Sequence, residues 1–173
     1  MVKYFSVLVF LMILSCIPYH KNEYGIYEPN SPNYSLKDKK DFTLPKNLDT
    51  VNFYQYNGFY ENGIIKTDDN AKKVKWCLKF FDNGRLLNVS KKEVNYEFLN
   101  PKFANKEYYF YDKKKELIKI ESFVTTEGGQ YNIINYQISK NGDTLTSVTN
   151  SRMEYVFIRE RIPNEWKRYK PDW

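Results

Sequence analysis

The chain has 173 residues, enough for one domain with a real core, and its 27 Lys and Arg exceed its 21 Asp and Glu to give a net charge of +6. Bases and acids are interspersed from Lys21 to Lys170, so the excess forms no concentrated stripe of the kind a phosphate backbone requires, and nucleic acid is not the expected partner. Aromatic residues make up 18%, while Ala occurs only at Ala71 and Ala104, a composition that suits pleated, half-buried strands and suits helices poorly.

The first segment reads as a leader. Met1 and Lys3 supply positive charge, and residues 4–14 are apolar except for Ser6. This is shorter than the roughly 20 apolar residues that span a bilayer. The stretch ends Ile13-Leu14-Ser15-Cys16, which resembles the bacterial lipobox. In lipoproteins of that kind the cysteine thiol takes a diacylglyceryl group, cleavage falls just before it, and the new amino terminus is acylated. The resemblance therefore implies a signal peptide over 1–15, a palmitate-type lipid anchor on Cys16, and a protein held outside the cytoplasm at the cell membrane or outer membrane. Two or three chains anchor firmly where one does so only marginally. Lipidation would consume one of the two cysteines and leave Cys77 as a small buried residue without a disulfide partner.

Residues 16–47 hold four of the seven prolines and show no hydrophobic period, so they read as a flexible tether that lifts the domain off the membrane. From residue 48 to 162 the pattern changes to short alternating runs separated by turn signals. Eight strands are predicted, at 51–60, 74–81, 85–90, 106–111, 116–123, 130–138, 143–149 and 153–159. Asn-Gly pairs at 57–58, 62–63, 83–84 and 141–142 are candidate type I′ turns, Gly128-Gly129 is a further candidate turn, and Asp112-Lys113-Lys114-Lys115 is a polar one without glycine. In the second strand Val74, Trp76, Leu78 and Phe80 are expected on the core face and Lys75, Cys77 and Lys79 on the opposite, wetter face, where Cys77 is still read as a small buried residue. In the fifth, Ile118, Ile120 and Ser122 oppose Lys119 and Glu121. The gap at 91–105 reads as a loop with one helical turn over a barrel mouth. The aromatic and basic residues 163–173 read as an extended strap.

Short connections favour sequential antiparallel pairing, giving an all-β fold, an up-and-down barrel or strongly curved sheet of about eight strands. Gly58-Phe59-Tyr60, the run from Leu78 through Asp82-Asn83-Gly84 to Leu86, and Asp143-Thr144-Leu145 resemble the small lipocalin-like proteins of bacterial envelopes. That resemblance implies a monomeric barrel able to hold a small, partly apolar ligand.

Catalytic material is sparse. His20 is the lone histidine and lies in the predicted tether, so neither a Ser-His-Asp triad nor a histidine metal site can be assembled, and no enzyme activity or cofactor is expected. Asp68-Asp69-Asn70 lacks the Gly and closing Glu of a calcium loop and reads as a polar hairpin loop. Trp76, Tyr109, Tyr131, Tyr136 and Tyr155 are the candidate ligand-binding residues; the same rings could instead fill the barrel. A hollow interior would mark a ligand carrier. A filled one would mark a protein-interaction module, such as an inhibitor, immunity or envelope assembly factor, working through its outer wall, Arg152, Arg159, Arg161 or the tail.

Overall fold

In a computed structural model, residues 17–67, 75–91, 99–149, 153–164, 167, 170 and 173 are described. The leader, Cys16, Asp68-Asp69-Asn70, Val74, Arg152 and part of the tail lie outside them. The described chain is all-β. A small hairpin, β1 (Tyr19–Lys21) and β2 (Tyr27–Pro29), precedes β3 (Phe53–Glu61), the short β4 (Ile64–Lys66), β5 (Lys75–Phe80), β6 (Arg85–Lys91), β7 (Asn105–Asp112), β8 (Leu117–Val124), β9 (Gln130–Ile138), β10 (Thr144–Val148) and β11 (Met153–Glu160). From β5 onward each strand pairs antiparallel with the next, and β11 returns to β3, so β3 and β5 to β11 form a closed eight-stranded barrel. Strand β4 is an extra, folded back on the end of β3. No helix of the described residues is long and apolar enough to cross a membrane.

The predicted turns hold except one. Asn62 and Gly63 both have positive φ, 54° and 78°, as a type I′ hairpin requires, and they join β3 to β4. At 83–84 and 141–142 only the glycine is left-handed. Asn57-Gly58 is not a turn. It lies within β3, where the register against β11 shifts between Val156 and Phe157, and a Cβ on Gly58 would sit 2.4 Å from the Lys66 carbonyl oxygen. The glycine lets β4 lie close against a bulged strand. Between β7 and β8, Asp112 Oδ1 accepts from the amides of Lys114 and Lys115 at 3.2 and 3.3 Å, which makes a turn without glycine.

Period-2 alternation sends Tyr54, Tyr56, Leu78, Phe80, Leu86, Tyr109, Ile118, Ile120, Tyr136, Leu145 and Phe157 into one interior cluster. Cys77 is buried as expected although it lies on the outward row, and Lys79, expected toward water, is buried with it. Cys77, Leu87 and Val89 belong to a second cluster on the outer wall, capped by Leu99, Ala104, Ile162 and Trp173. This wall is apolar on both faces where Leu99, Ala104, Ile162 and Trp173 pack on it. Cys77 is fully buried and its thiol donates to Gln55 Oε1 at 3.1 Å. Lys79 donates to the carbonyls of Thr50 and Phe80, and burial pushes its pKa down to about 8.

The stretch expected as a free tether also packs on the barrel. The amide of Leu36 donates to Glu121 Oε2 at 2.7 Å, that of Asn33 to the Tyr131 hydroxyl at 2.8 Å, and Leu36 and Leu48 are buried. Prolines remove ladder donors, but this segment docks through side chains and isolated amides and needs no ladder. Between residue 48 and the β9–β10 turn, the Tyr54 hydroxyl accepts from the Asp49 amide and donates to the Gly142 carbonyl, both at 3.0 Å. Arg159 reinforces that corner through Asp49 at 3.6 Å and through Asp143.

Candidate functional site

Burial along the inward rows runs downhill from one end of the barrel to the other. Tyr54, Phe80, Leu86, Tyr109, Ile118 and Leu145 are fully buried near the end sealed by Leu48 and Phe42. Toward the other end Trp76, Ile134 and Tyr155 are half-buried, and the inward positions Ser90 and Asn132 are exposed. The connections at this open end include 68–74, 92–98 and 150–152, outside the described residues. Among the described residues β3 and β5 pair at Tyr54 with Leu78 and Gln55 with Cys77, and β4 pairs with β3 farther on, at Phe59 to Glu61.

Where the two regimes meet, the interior turns polar. The Trp76 indole N–H donates to Asn88 Oδ1 at 2.7 Å, and Asn88 Nδ2 donates to Glu107 Oε1 at 3.0 Å. The Ser122 hydroxyl also bonds to that carboxyl. Glu107 is 1% exposed, and its Oε2 has no hydrogen-bond partner. Burial pushes its pKa up to about 8, more than the bonds from Ser122 and Asn88 pull it down. At neutral pH the group is therefore mostly a neutral acid. It can donate a proton to an acceptor placed beside it, or give the proton up when a cation arrives. The hydroxyl of Tyr136 is held in its neutral form by burial and by the neighbouring Glu107.

Aromatic rings complete one side. Trp76 lies 5.2 Å from Tyr56, 5.5 Å from Tyr155 and 4.8 Å from Phe157, centroid to centroid, in tilted and edge-to-face contacts. Such pairs contribute about 0.5–1.5 kcal/mol each beyond their area and hold the indole in place. The half-buried faces of Trp76 and Tyr155 supply an apolar wall next to the Asn88 and Glu107 polar pair.

Of the five rings singled out from sequence, Trp76, Tyr136 and Tyr155 come together here. Tyr109 points inward but fills the sealed end, where its hydroxyl donates to the Phe81 carbonyl. Tyr131 is on the outer wall, paired with Phe123 across the strands and packed on Tyr34 at 4.8 Å. It and Tyr136 are five residues apart in one strand, and an odd separation puts them on opposite faces. Glu107 and Asn88 were missed. The signal for Glu107 is its even spacing from Tyr109 and Tyr111, masked by the unbroken aromatic run from Tyr108 to Tyr111.

Outside the barrel, a cavity of about 210 Å³ lies between the N-terminal segment and β7, lined by Ile26, Pro29, Pro32, Tyr34, Tyr108 and Trp173. The buried Trp173 indole nitrogen has no hydrogen-bond partner. His20 is exposed in β1, and Arg159 is committed to the Asp49 and Asp143 corner. Among the described residues no group of three or more His, Cys, Asp or Glu could hold a metal ion.

Comparison with known protein families, curated proteins and solved structures gives no significant match.

Proposed function

We propose that this is a lipid-anchored, non-enzymatic envelope protein that binds a small, partly apolar molecule in the open half of its barrel. One observation carries the reading: a carboxyl group taken fully out of water with one of its two oxygens unmatched. Leaving a buried polar group without a partner costs about 1–3 kcal/mol, and an apolar residue would serve a purely structural core better. A ligand bringing one hydrogen-bonding or cationic group to Glu107 and an apolar body to Trp76 and Tyr155 would remove that cost. Pockets that recognise small molecules combine these parts, apolar walls with a few fixed polar atoms. The anchor rests on the Ile13-Leu14-Ser15-Cys16 pattern and the leader before it.

Native mass spectrometry of the full-length protein, extracted from its own host's membranes in mild detergent, tests the binding. The wild type should carry a small-molecule adduct that Glu107→Leu loses while keeping its β-sheet circular dichroism spectrum. Bare wild-type protein, or the same adduct on Glu107→Leu, would overturn the proposal.

A further inference from the structure

The N-terminal segment, docked on the barrel wall, encloses the outer cavity of about 210 Å³ against β7. The walls of this cavity are fixed by contacts within the protein. The amides of Asn33 and Leu36 tie the segment to the barrel through the Tyr131 hydroxyl and the Glu121 carboxylate. Tyr34, between those two bonds in the chain, lies 4.9 Å from Tyr108 and 4.8 Å from Tyr131, ring to ring. Phe123 is braced edge-on by Tyr131 at 5.5 Å, and Trp173 by Phe81 at 5.7 Å. Pro29 and Pro32, also in the lining, bring no N–H that an incoming molecule would strip of water. Side chains already fixed by one another lose little freedom on binding, which lowers the cost of filling the space.

The polar groups around this cavity do not balance. The Glu28 carboxylate is engaged, its Oε1 accepting from Asn22 Nδ2 at 3.2 Å and from Lys106 Nζ at 3.3 Å. Glu107 also borders the cavity, but its carboxyl is bonded to Asn88 and Ser122 within the barrel. The Trp173 indole N–H, in contrast, is buried with no acceptor. Lys37 lines the exposed rim, with its ammonium 6.0 Å from the centroid of the Tyr108 ring and no ion-pair partner among the described residues. A buried donor asks for an acceptor, and a cation nearby favours an acceptor that carries negative charge. A cavity of about 150 Å³ holds a benzene ring, so this one has room for a ring with a short acidic tail, about ten non-hydrogen atoms.

We propose that the cavity between the N-terminal segment and β7 is a second binding site, on the outside of the barrel, for a small aromatic carboxylate. The ring of the ligand packs among Tyr34, Tyr108, Phe123 and Trp173, and its carboxylate accepts from the Trp173 indole N–H under the field of Lys37. Strand β7 then serves one site on each face, with Glu107 inside and Tyr108 outside. This outer site depends neither on the lipid anchor nor on a ligand within the barrel.

Phenylacetate is the probe. Titrated into the full-length protein carrying isotope-labelled tryptophan, it should shift the Trp173 indole N–H resonance to a saturating value; Trp173→Phe identifies that resonance by its loss. The Trp76 indole, bonded to Asn88 inside the barrel, should stay in place. Phenylethanol, with the same ring and no charge, should bind about tenfold more weakly, because a bond to a charged acceptor is the stronger one. Lys37→Gln, at an exposed position, should weaken phenylacetate by about two- to fivefold. An unmoved Trp173 resonance, movement of Trp76 in its place, or equal affinity for the alcohol would overturn the proposal.

Discussion

Replacing Glu107 with Gln should change how stability depends on pH. The folded group has its pKa raised to about 8 from the ordinary 4.5 by complete burial. Below pH 4.5 both folded and unfolded chains hold the proton, and the group adds no pH dependence. Between 4.5 and about 8 the unfolded chain ionises while the folded one does not, so the unfolded state gains about 1.4 kcal/mol per pH unit. Above about 8 both have ionised and the loss is constant. From pH 5 to pH 7 wild-type stability should therefore fall by about 3 kcal/mol relative to the Glu107→Gln chain. Gln keeps the oxygen that accepts from Asn88 and does not titrate, so the comparison isolates the proton. Urea unfolding of the unlipidated Cys16→Ser chain, with and without Glu107→Gln, at pH 5, 6, 7 and 8 measures the difference. Parallel curves for the two chains would refute the assignment of a buried neutral acid to this position.

Two further substitutions probe the sealed end. Tyr54→Phe removes the hydroxyl that joins the Asp49 amide to the Gly142 carbonyl and should lower unfolding free energy by about 1–3 kcal/mol. Gly142→Ala meets a φ of 74° and an Asn47 carbonyl oxygen 2.2 Å from the new Cβ. The left-handed backbone alone costs about 1–2 kcal/mol, so the unfolding free energy obtained from urea titration should fall by at least that much. Both changes loosen the same corner, so the double variant should lose less than the two single losses combined.

Much of the barrel was readable because two independent signals coincide in it. Alternation fixes which side of Trp76-Cys77-Leu78-Lys79-Phe80 faces in, and Asn-Gly or Asp-Lys punctuation fixes where each hairpin ends. Neither signal reports what lies on the outside of the sheet. A strand covered on its outer face by a non-periodic segment shows the same alternation as one facing water, and so alternation alone puts Lys79 in solvent. The N-terminal segment was misjudged for the same reason: Leu36 and Leu48 are single anchors with no repeat to announce them. Glu107 was invisible because Tyr108, Tyr109, Phe110 and Tyr111 are apolar on both faces, which leaves the inward phase of β7 undefined. Ser122 fell on the inward row with Ile118 and Ile120 in the sequence and does so in the structure, yet its meaning depends on a carboxyl from the neighbouring strand. Pairings between strands bring such groups together, and no local pattern contains them.

The seam between β3 and β11 sets a timetable for making this protein. It places Phe53 opposite Glu160, partners that synthesis separates by most of the domain. Until the last strand emerges, the chain can form only an open, curling ribbon with two raw edges, and distant partners are slow to meet. A chain emerging from its amino terminus therefore cannot lock itself into a finished barrel before its last strand is made. Completion of the barrel is set by where the final hydrogen-bonded pair falls in the chain.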